Sequence, residues 1–323
     1  MLSDQAAELL TALRGTLPKW DCVVDGERVA FSQTIRAPYR PRKRMPAWPQ
    51  LLGDLSAGCS ERGIVSSEPL PLRGMGDADF TFSAVQALEP YLKHRQQHIH
   101  GVGYIPQPVV RFTGERNQRG TLQPGFLTSF INVSVVQPIS TIPEHAALID
   151  AWLSVLSRIG LHSQHITIAG MLSVWRRREV AGITLWFRHG DLTLGDAVLL
   201  WNTTDPRFLA TDIGSGLERL RWAVASRPWP ETVYDRLAAV ADTETLDALR
   251  TATLVAGSGV RPAPRGPGNA VRRLMRREQD RLSGLGFSRV VRWAHEYWSL
   301  VKPLQVPWPE VCRILETEVF ENR

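Results

Sequence analysis

Cysteine is scarce in this 323-residue chain: Cys22, Cys59 and Cys312 stand far apart and form no Cys-x-x-Cys pair. That argues against a disulfide framework or a cysteine-built zinc site, and for a reducing compartment. Long apolar runs are missing as well; none approaches the roughly 20 residues of a bilayer-crossing helix. Residues Met1 to Gln5 carry neither the basic start nor the apolar core of a secretory leader. The expectation is a cytoplasmic protein that makes no membrane contact. Lysine is nearly absent: of 38 basic residues only Lys19, Lys43, Lys93 and Lys302 are lysines. The rest are arginines, whose planar fork suits phosphate and carboxylate, and an isoelectric point near 9.6 permits a polyanionic partner. What is present is ordinary globular composition, 43% hydrophobic and 22% charged. This rules out a disordered or collagen-like chain, and the length suits about two domains.

Residues 4–15 have the spacing of a short helix, with Leu9, Leu10 and Leu13 on one stripe. Alternation around Asp25-Gly26 predicts a hairpin within 20–36, and the Pro- and Arg-rich segment 37–49 reads as a linker. A helix is expected from Trp48 to about Ser60. Strands are expected at Phe80–Phe82, Val109–Phe112, 126–136, 165–169, 171–176, 183–188, 197–202 and 207–212. Between them, 144–159 is an amphipathic helix with Ala147, Leu148, Trp152, Val155, Leu156 and Ile159 inward. Strands outnumber crossover helices, so the sheet should be mainly antiparallel. From about 231 the pattern is helical, interrupted by the Gly/Pro-rich stretch 257–268. The fold class expected is therefore α+β, with a helical C-terminal part.

The most informative string is Thr211-Asp212-Ile213-Gly214-Ser215-Gly216-Leu217-Glu218-Arg219-Leu220. Gly214 and Gly216 let the backbone approach a ligand, and Arg219 falls in the first turn of the following helix, aimed back at the glycines. Taken singly, such residues have plain explanations. Trp175 and Phe130 fit core aromatics, Asn202 a turn, Arg111 a solvated strand position. His94, His98 and His100 form a local cluster without a carboxylate or cysteine beside it, and read as a solvated helix end rather than a metal site.

As a whole, the string resembles motif 3 of class II aminoacyl-tRNA synthetases, in particular that of alanyl-tRNA synthetases. Other segments resemble the same family in the same order. Asp77 to Leu92 is similar to its early Phe-Lys-Pro-Tyr-Phe region, and Pro106 to Asn117 to the start of motif 2, which puts Arg111 and Gly114 on that motif's arginine and glycine. Thr128-Ser129-Phe130 falls on the returning strand, Trp175 on the tryptophan that walls the amino-acid pocket, and Trp201-Asn202 on a Trp-Asn pair. Gly259 to Arg277, Pro309-Glu310 and Glu316 to Phe320 are similar to the family's helical region. The resemblance covers about 48–323 and implies a class II synthetase-like catalytic domain at 48–228. The helical domain at 229–323 would follow it, and an extension and linker at 1–47 would precede it.

The implied chemistry joins an amino-acid carboxylate to the α-phosphate of ATP with Mg²⁺. It needs two anions brought together and the developing charge neutralised, with no protein nucleophile. The resemblance implies that Arg111 meets the α-phosphate and that Arg219 stacks on adenine opposite Phe130 while reaching the γ-phosphate. Gly114, Gly214 and Gly216 would line the ATP site. Asp212 would pair with the ammonium, Asn202 would orient the amino acid, and Trp175 would limit it to alanine, then glycine or serine. Departures bear on the acceptor. Pro264 stands where the family has an asparagine that reads the tRNA acceptor stem, the Gly-Pro-Cys run after Trp175 is replaced by Arg176 to Gly182, and Ile131-Asn132 replaces Glu-Met. A small metabolite or carrier-protein acceptor is thus expected. Arg272, Arg273, Arg276 and Arg277 lie on one helical face as a candidate phosphate-binding surface. Alternatives are a minimal enzyme that still charges tRNA, and a non-catalytic binding or regulatory protein.

Overall fold

The computed structural model describes residues 2–35, 37–75, 78–97, 99, 101–118, 121–282 and 286–321. In chain order the elements are α1 (Asp4–Thr16), β1 (Asp21–Asp25), β2 (Arg28–Ser32), α2 (Trp48–Glu61), α3 (Glu89–His94), β3 (Gly103–Val110) and β4 (Ser129–Ile139). There follow α4 (Ile142–Arg158), β5 (Ile166–Arg177), β6 (Val180–His189), β7 (Leu192–Asn202), β8 (Leu209–Gly216) and α5 (Leu217–Ala225). The chain closes with α6 (Trp229–Tyr234), α7 (Thr243–Gly257), α8 (Pro267–Leu282), α9 (Phe287–Trp298) and α10 (Trp308–Glu316). Among the described residues the strands form one eight-stranded sheet in the order β1-β2-β5-β6-β7-β8-β4-β3. The pairs β1–β2, β2–β5, β5–β6, β6–β7, β7–β8 and β8–β4 are antiparallel. This is an α+β fold with a large antiparallel sheet, flanking helices and C-terminal helices. No helix among the described residues is long and apolar enough to cross a membrane.

The chain divides into two compact units. One comprises Met1–Glu68, Ala84–Pro106 and Asn132–Ser226; the other comprises Pro69–Ser83, Gln107–Ile131 and Arg227–Arg323. Residues 69–83 and 107–131 thus group with the C-terminal helices. Residues 1–47 belong to the first unit. Ser3 caps α1 by accepting from the Ala6 N–H (3.2 Å). The Asp25-Gly26 turn, with Gly26 at φ +59°, closes the β1–β2 hairpin, and β2 extends the sheet by pairing with β5. The segment 37–49 docks on α5: the Tyr39 hydroxyl and the Arg42 N–H both donate to the Val224 carbonyl. Arg221 lies 3.9 Å over the Trp48 ring and donates to the Pro46 carbonyl.

One face of the sheet in this unit is the core. Val133, Val135, Ile213, Ala197, Leu199, Ile183 and Phe187 are buried there, and α4 packs on β7 and β8. Each of these valine, leucine, isoleucine and phenylalanine side chains contributes about 1.5–3 kcal/mol. The inward stripe of α4 differs from the expected one. His145, Ala146, Ile149, Trp152, Leu153 and Leu156 are buried, whereas Ala147 is exposed and Leu148 half-buried. His145, a polar residue inside the stripe, misled the hydrophobic count. The two strands expected at 165–169 and 171–176 are one strand, β5, with its register shifted between Met171 and Trp175. The strand expected at Phe80–Phe82 is irregular. Thr81 bonds to the carbonyls of Pro71 and Leu72, in a proline-rich run that offers no ladder.

The other unit is built on α7, which packs against α8, α9 and α10. Arg250 is buried beneath Tyr297 and Trp298, its guanidinium 4.6 and 4.5 Å from their rings. The break between α7 and α8 falls on the expected Gly/Pro-rich stretch, with Gly259 at φ +87°.

Candidate functional site

Side chains two apart on a strand share a face, so the register of the sheet defines rows across it. In the first unit, the face away from α4 carries the row Val136–Asp212–Val198–Thr184 and, beside it, the row Ser134–Gly214–Asp196–Trp186. Gly216 pairs with Asn132 in the next row. The string singled out in the sequence is therefore a strand running directly into a helix. Asp212 stands half-buried in mid-strand, and Arg219 lies in the first turn of α5. Arg219 Nη1 donates to the Thr193 carbonyl at the start of β7 (3.3 Å).

The glycines are sterically required. A Cβ on Gly214 would lie 2.4 Å from Ser134 Oγ, and one on Gly195 would lie 1.8 Å from the Gly214 carbonyl oxygen. Trp175 lies over Gly182, whose Cβ would come within 2.6 Å of its ring, and its indole N–H donates to Thr184 Oγ1 (3.0 Å). Trp175 is thus fixed beside the row that contains Asp212. Part of this face is covered by the segment 84–94. The Ala84 N–H donates to Asn132 Oδ1 (3.2 Å), and Asn202 Nδ2 donates to the Leu92 carbonyl (2.7 Å). Asn202 Oδ1 also accepts from the Thr204 N–H, the Thr204 hydroxyl and the Asp205 N–H. The amide that the family resemblance assigns to an amino acid is engaged here by its own turn and by the chain end of α3.

In the second unit Arg111 follows the end of β3. Its N–H donates to the Thr128 carbonyl (2.7 Å), its Nε donates to the Phe82 carbonyl, and its guanidinium lies 5.1 Å from the centroid of the half-buried Phe130 ring. Gly114 packs against Leu122, where a Cβ would come within 2.8 Å. The segment between Arg111 and Phe130 is pinned by one face of α7. Glu244 pairs with Arg116 (2.8 Å) and accepts from the Leu122 N–H. Asp247 accepts from the Thr128 N–H (3.0 Å), Thr251 bonds to Ser129 Oγ (2.8 Å), and Arg250 donates to the Ser129 carbonyl. Burial pushes the Asp247 carboxyl up to about 6, against hydrogen bonds from Thr128 that favour its charged form.

No protein-family model and no curated protein matches the chain. Among solved structures it is similar to PylSc, the pyrrolysyl tRNA synthetase of Desulfitobacterium hafniense. Identity is 16% over 55% of this chain and 68% of that one, with a TM-score of 0.36. The likeness is partial.

The arginine face on α8 is largely engaged within its own unit. Arg272 and Arg276 approach Glu318 at 3.0 and 3.6 Å, and Arg277 lies 3.6 Å from both Glu244 and Glu278. His94 ends α3; His98, His100 and Asp77 lie outside the described residues, among which no group of three His, Cys, Asp or Glu could hold a metal ion. Sequence reasoning missed Asp196, Thr184 and Ser134 as neighbours of Asp212 and Gly214. Asp196 had a signal, a lone carboxylate in an otherwise apolar strand, but the expected strand began one residue after it.

Proposed function

We propose that this chain is a class II synthetase-like ligase. It would activate a small amino acid, alanine first, with MgATP to an aminoacyl-adenylate and pass it to an acceptor other than an ordinary tRNA. The observation that carries the reading is the strand-to-helix string 211–220. It sets a half-buried carboxylate at mid-strand, a space-limited glycine at Gly214, a second glycine at the strand end and an arginine in the first helical turn, in the order the family resemblance requires. In the reaction an oxygen of the amino-acid carboxylate forms a bond to the α-phosphorus, the bond to the bridging oxygen breaks, and pyrophosphate leaves. A second acceptor then displaces AMP from the acyl carbon. Catalysis of this kind is orientation plus charge neutralisation, and arginines and a half-buried carboxylate suffice for the protein's share.

In this reading Asp212 holds the ammonium, Trp175 closes the side-chain end of the pocket, and Gly214 and Gly216 let the nucleotide approach the backbone. Arg219 binds adenine and the terminal phosphate. The resemblance gives Arg111 the α-phosphate, Phe130 the adenine ring and Gly114 the close approach of the motif 2 turn. Asn202 holds the turn 202–205 rather than the substrate, since its amide is already engaged. Magnesium arrives with ATP as part of the substrate. A metabolite or carrier protein as acceptor is supported by Pro264, which has no amide to read a base pair, and by the ion pairs that occupy Arg272, Arg276 and Arg277.

The test is amino-acid-dependent ATP–pyrophosphate exchange across the twenty amino acids, then incubation with alanine, MgATP and total tRNA. Exchange strongest with alanine, with leakage to glycine and serine, and no efficient transfer to tRNA are expected. Preference for a large or charged amino acid refutes the pocket assignment, and robust nuclease-sensitive alanylation refutes the acceptor assignment.

A further inference from the structure

The rows that contain Asp212 and Gly214 continue past β6 onto the N-terminal hairpin, all within the first unit. Trp186 pairs with Ala169, Ala169 with Ala30, and Ala30 with Val23; in the next row Thr184 pairs with Met171, and Met171 with Arg28. Two alanines thus sit side by side next to a tryptophan. The short side chains leave a hollow of about 530 Å³, floored by Ala30 and Ala169 and walled by Trp186 and Met171. Its size is that of a small-molecule site. Trp186 is 40% exposed and Met171 38%, although a tryptophan gains more than most residues by burial.

The charge around the hollow is specific. Arg28 and Arg188 line it, one in the row on either side of the Trp186 row. Arg28 has no ion-pair partner among the described residues. Arg188 makes one long bond, to the Asp191 carbonyl at 3.5 Å, and Asp25, across the hairpin turn from Arg28, puts one carboxylate on the same rim. Thr193, whose carbonyl accepts from Arg219, also lines the hollow. Trp186 faces Asp196 one strand away, about 4.8 Å across the sheet.

We infer that this hollow is a ligand site for a planar ring bearing a phosphate or carboxylate group. The ring stacks on Trp186 over the alanine floor, and the anionic group is held by Arg188 on one side of the ring or by Arg28 on the other. The hairpin β1–β2 builds the site by supplying Arg28, Ala30 and Val23. The inference goes beyond the adenylate reading and stands without it, since none of its residues is assigned to amino-acid activation.

The test uses the full chain labelled with 5-fluorotryptophan, the Trp186 resonance being identified as the one lost in Trp186→Phe. Phenyl phosphate and benzoate are titrated separately, with inorganic phosphate and cyclohexanecarboxylate as controls. A saturable shift of the Trp186 resonance is expected with at least one aromatic probe, the tighter of the two naming the anionic group. Affinity should weaken at least tenfold in Arg28→Ala/Arg188→Ala, whose positions are exposed. The proposal is overturned if neither aromatic probe moves that resonance, if the double variant titrates like the parent, or if the controls reproduce the shift. Loss of exchange activity in the parent protein would sink the adenylate reading and leave this titration unaffected.

Discussion

His145 offers a test of the core that supports the Asp212 strand. It lies on the buried face of α4 with no exposed surface, its Nδ1 2.6 Å from the hydroxyl of Thr211, the residue that precedes Asp212. Its Nε2 has no partner among the described residues. Burial disfavours the imidazolium and holds the ring's pKa down to about 3, from 6.5 in an unfolded chain. Between these values the unfolded chain binds a proton that the folded one refuses, so stability rises with pH across the window and is lost as pH falls below about 6. The slope approaches about 1.4 kcal/mol per pH unit once the unfolded imidazole is fully protonated, so acidification from pH 6.5 to 4.5 costs about 2 kcal/mol through this residue alone. His145→Leu removes the titration and leaves the Thr211 hydroxyl unpartnered, a pH-independent cost of about 1–3 kcal/mol. Urea unfolding of both proteins at pH 7.5, 6.5, 5.5 and 4.5 measures the difference, in which all other titrating groups cancel. The parent should lose its advantage over the variant by about 2 kcal/mol between pH 6.5 and 4.5. A difference that stays constant within about 0.5 kcal/mol refutes the claim that a neutral, desolvated imidazole is built into this core.

Other consequences follow from single residues. Gly195→Ala drives a Cβ into the Gly214 carbonyl, which cannot move without breaking the β7–β8 register. A loss of about 2–3 kcal/mol is expected, read as a melting temperature lowered by roughly 5–10 °C, and a shift under 1 °C contradicts the register. Asp247 has its folded pKa raised to about 6 from 3.8, so its contribution is fully present below pH 3.8 and is lost as pH rises through 6. Asp247→Asn keeps an acceptor for the Thr128 N–H and should gain about 3 kcal/mol on the parent between pH 3.8 and 7; a flat difference rules this out. Arg111→Ala and Arg219→Ala should each lower pyrophosphate exchange by about 10²–10³-fold with unchanged circular dichroism, and near-parental exchange in either removes that residue's role.

Much of the architecture was legible because strand alternation and helical periodicity were strong. The hairpin at Asp25-Gly26, the helix of 142–158 and the strand-to-helix passage at Gly216 all follow from local pattern. Misreadings arose where tertiary bonds overrode that pattern. Phe80–Phe82 has strand-like composition, yet Thr81 is bound into a proline-rich loop, and the stripe of α4 shifted because a histidine counts as polar in sequence while its ring is buried against Thr211. The candidate site could be assembled from sequence only along the chain. Asp212, Gly214 and Arg219 lie in one string, but their neighbours Asp196, Ser134 and Thr184 arrive through register, which no local spacing specifies. Asn202 shows the converse: its place in the string order was visible, but the turn that absorbs its amide was not. The part taken by the N-terminal hairpin in the sheet depends on β2 pairing with β5, some 140 residues away in sequence.

The central claim is that Asp212 holds the ammonium of a small amino acid on the open face of the sheet. Alanine-dependent pyrophosphate exchange in the parent and in Asp212→Asn tests it most directly. The account predicts exchange in the parent and a KM for alanine raised at least tenfold in the variant, with the KM for ATP unchanged. Equal alanine KM values in the two proteins, or no exchange with any amino acid in the parent, would contradict it.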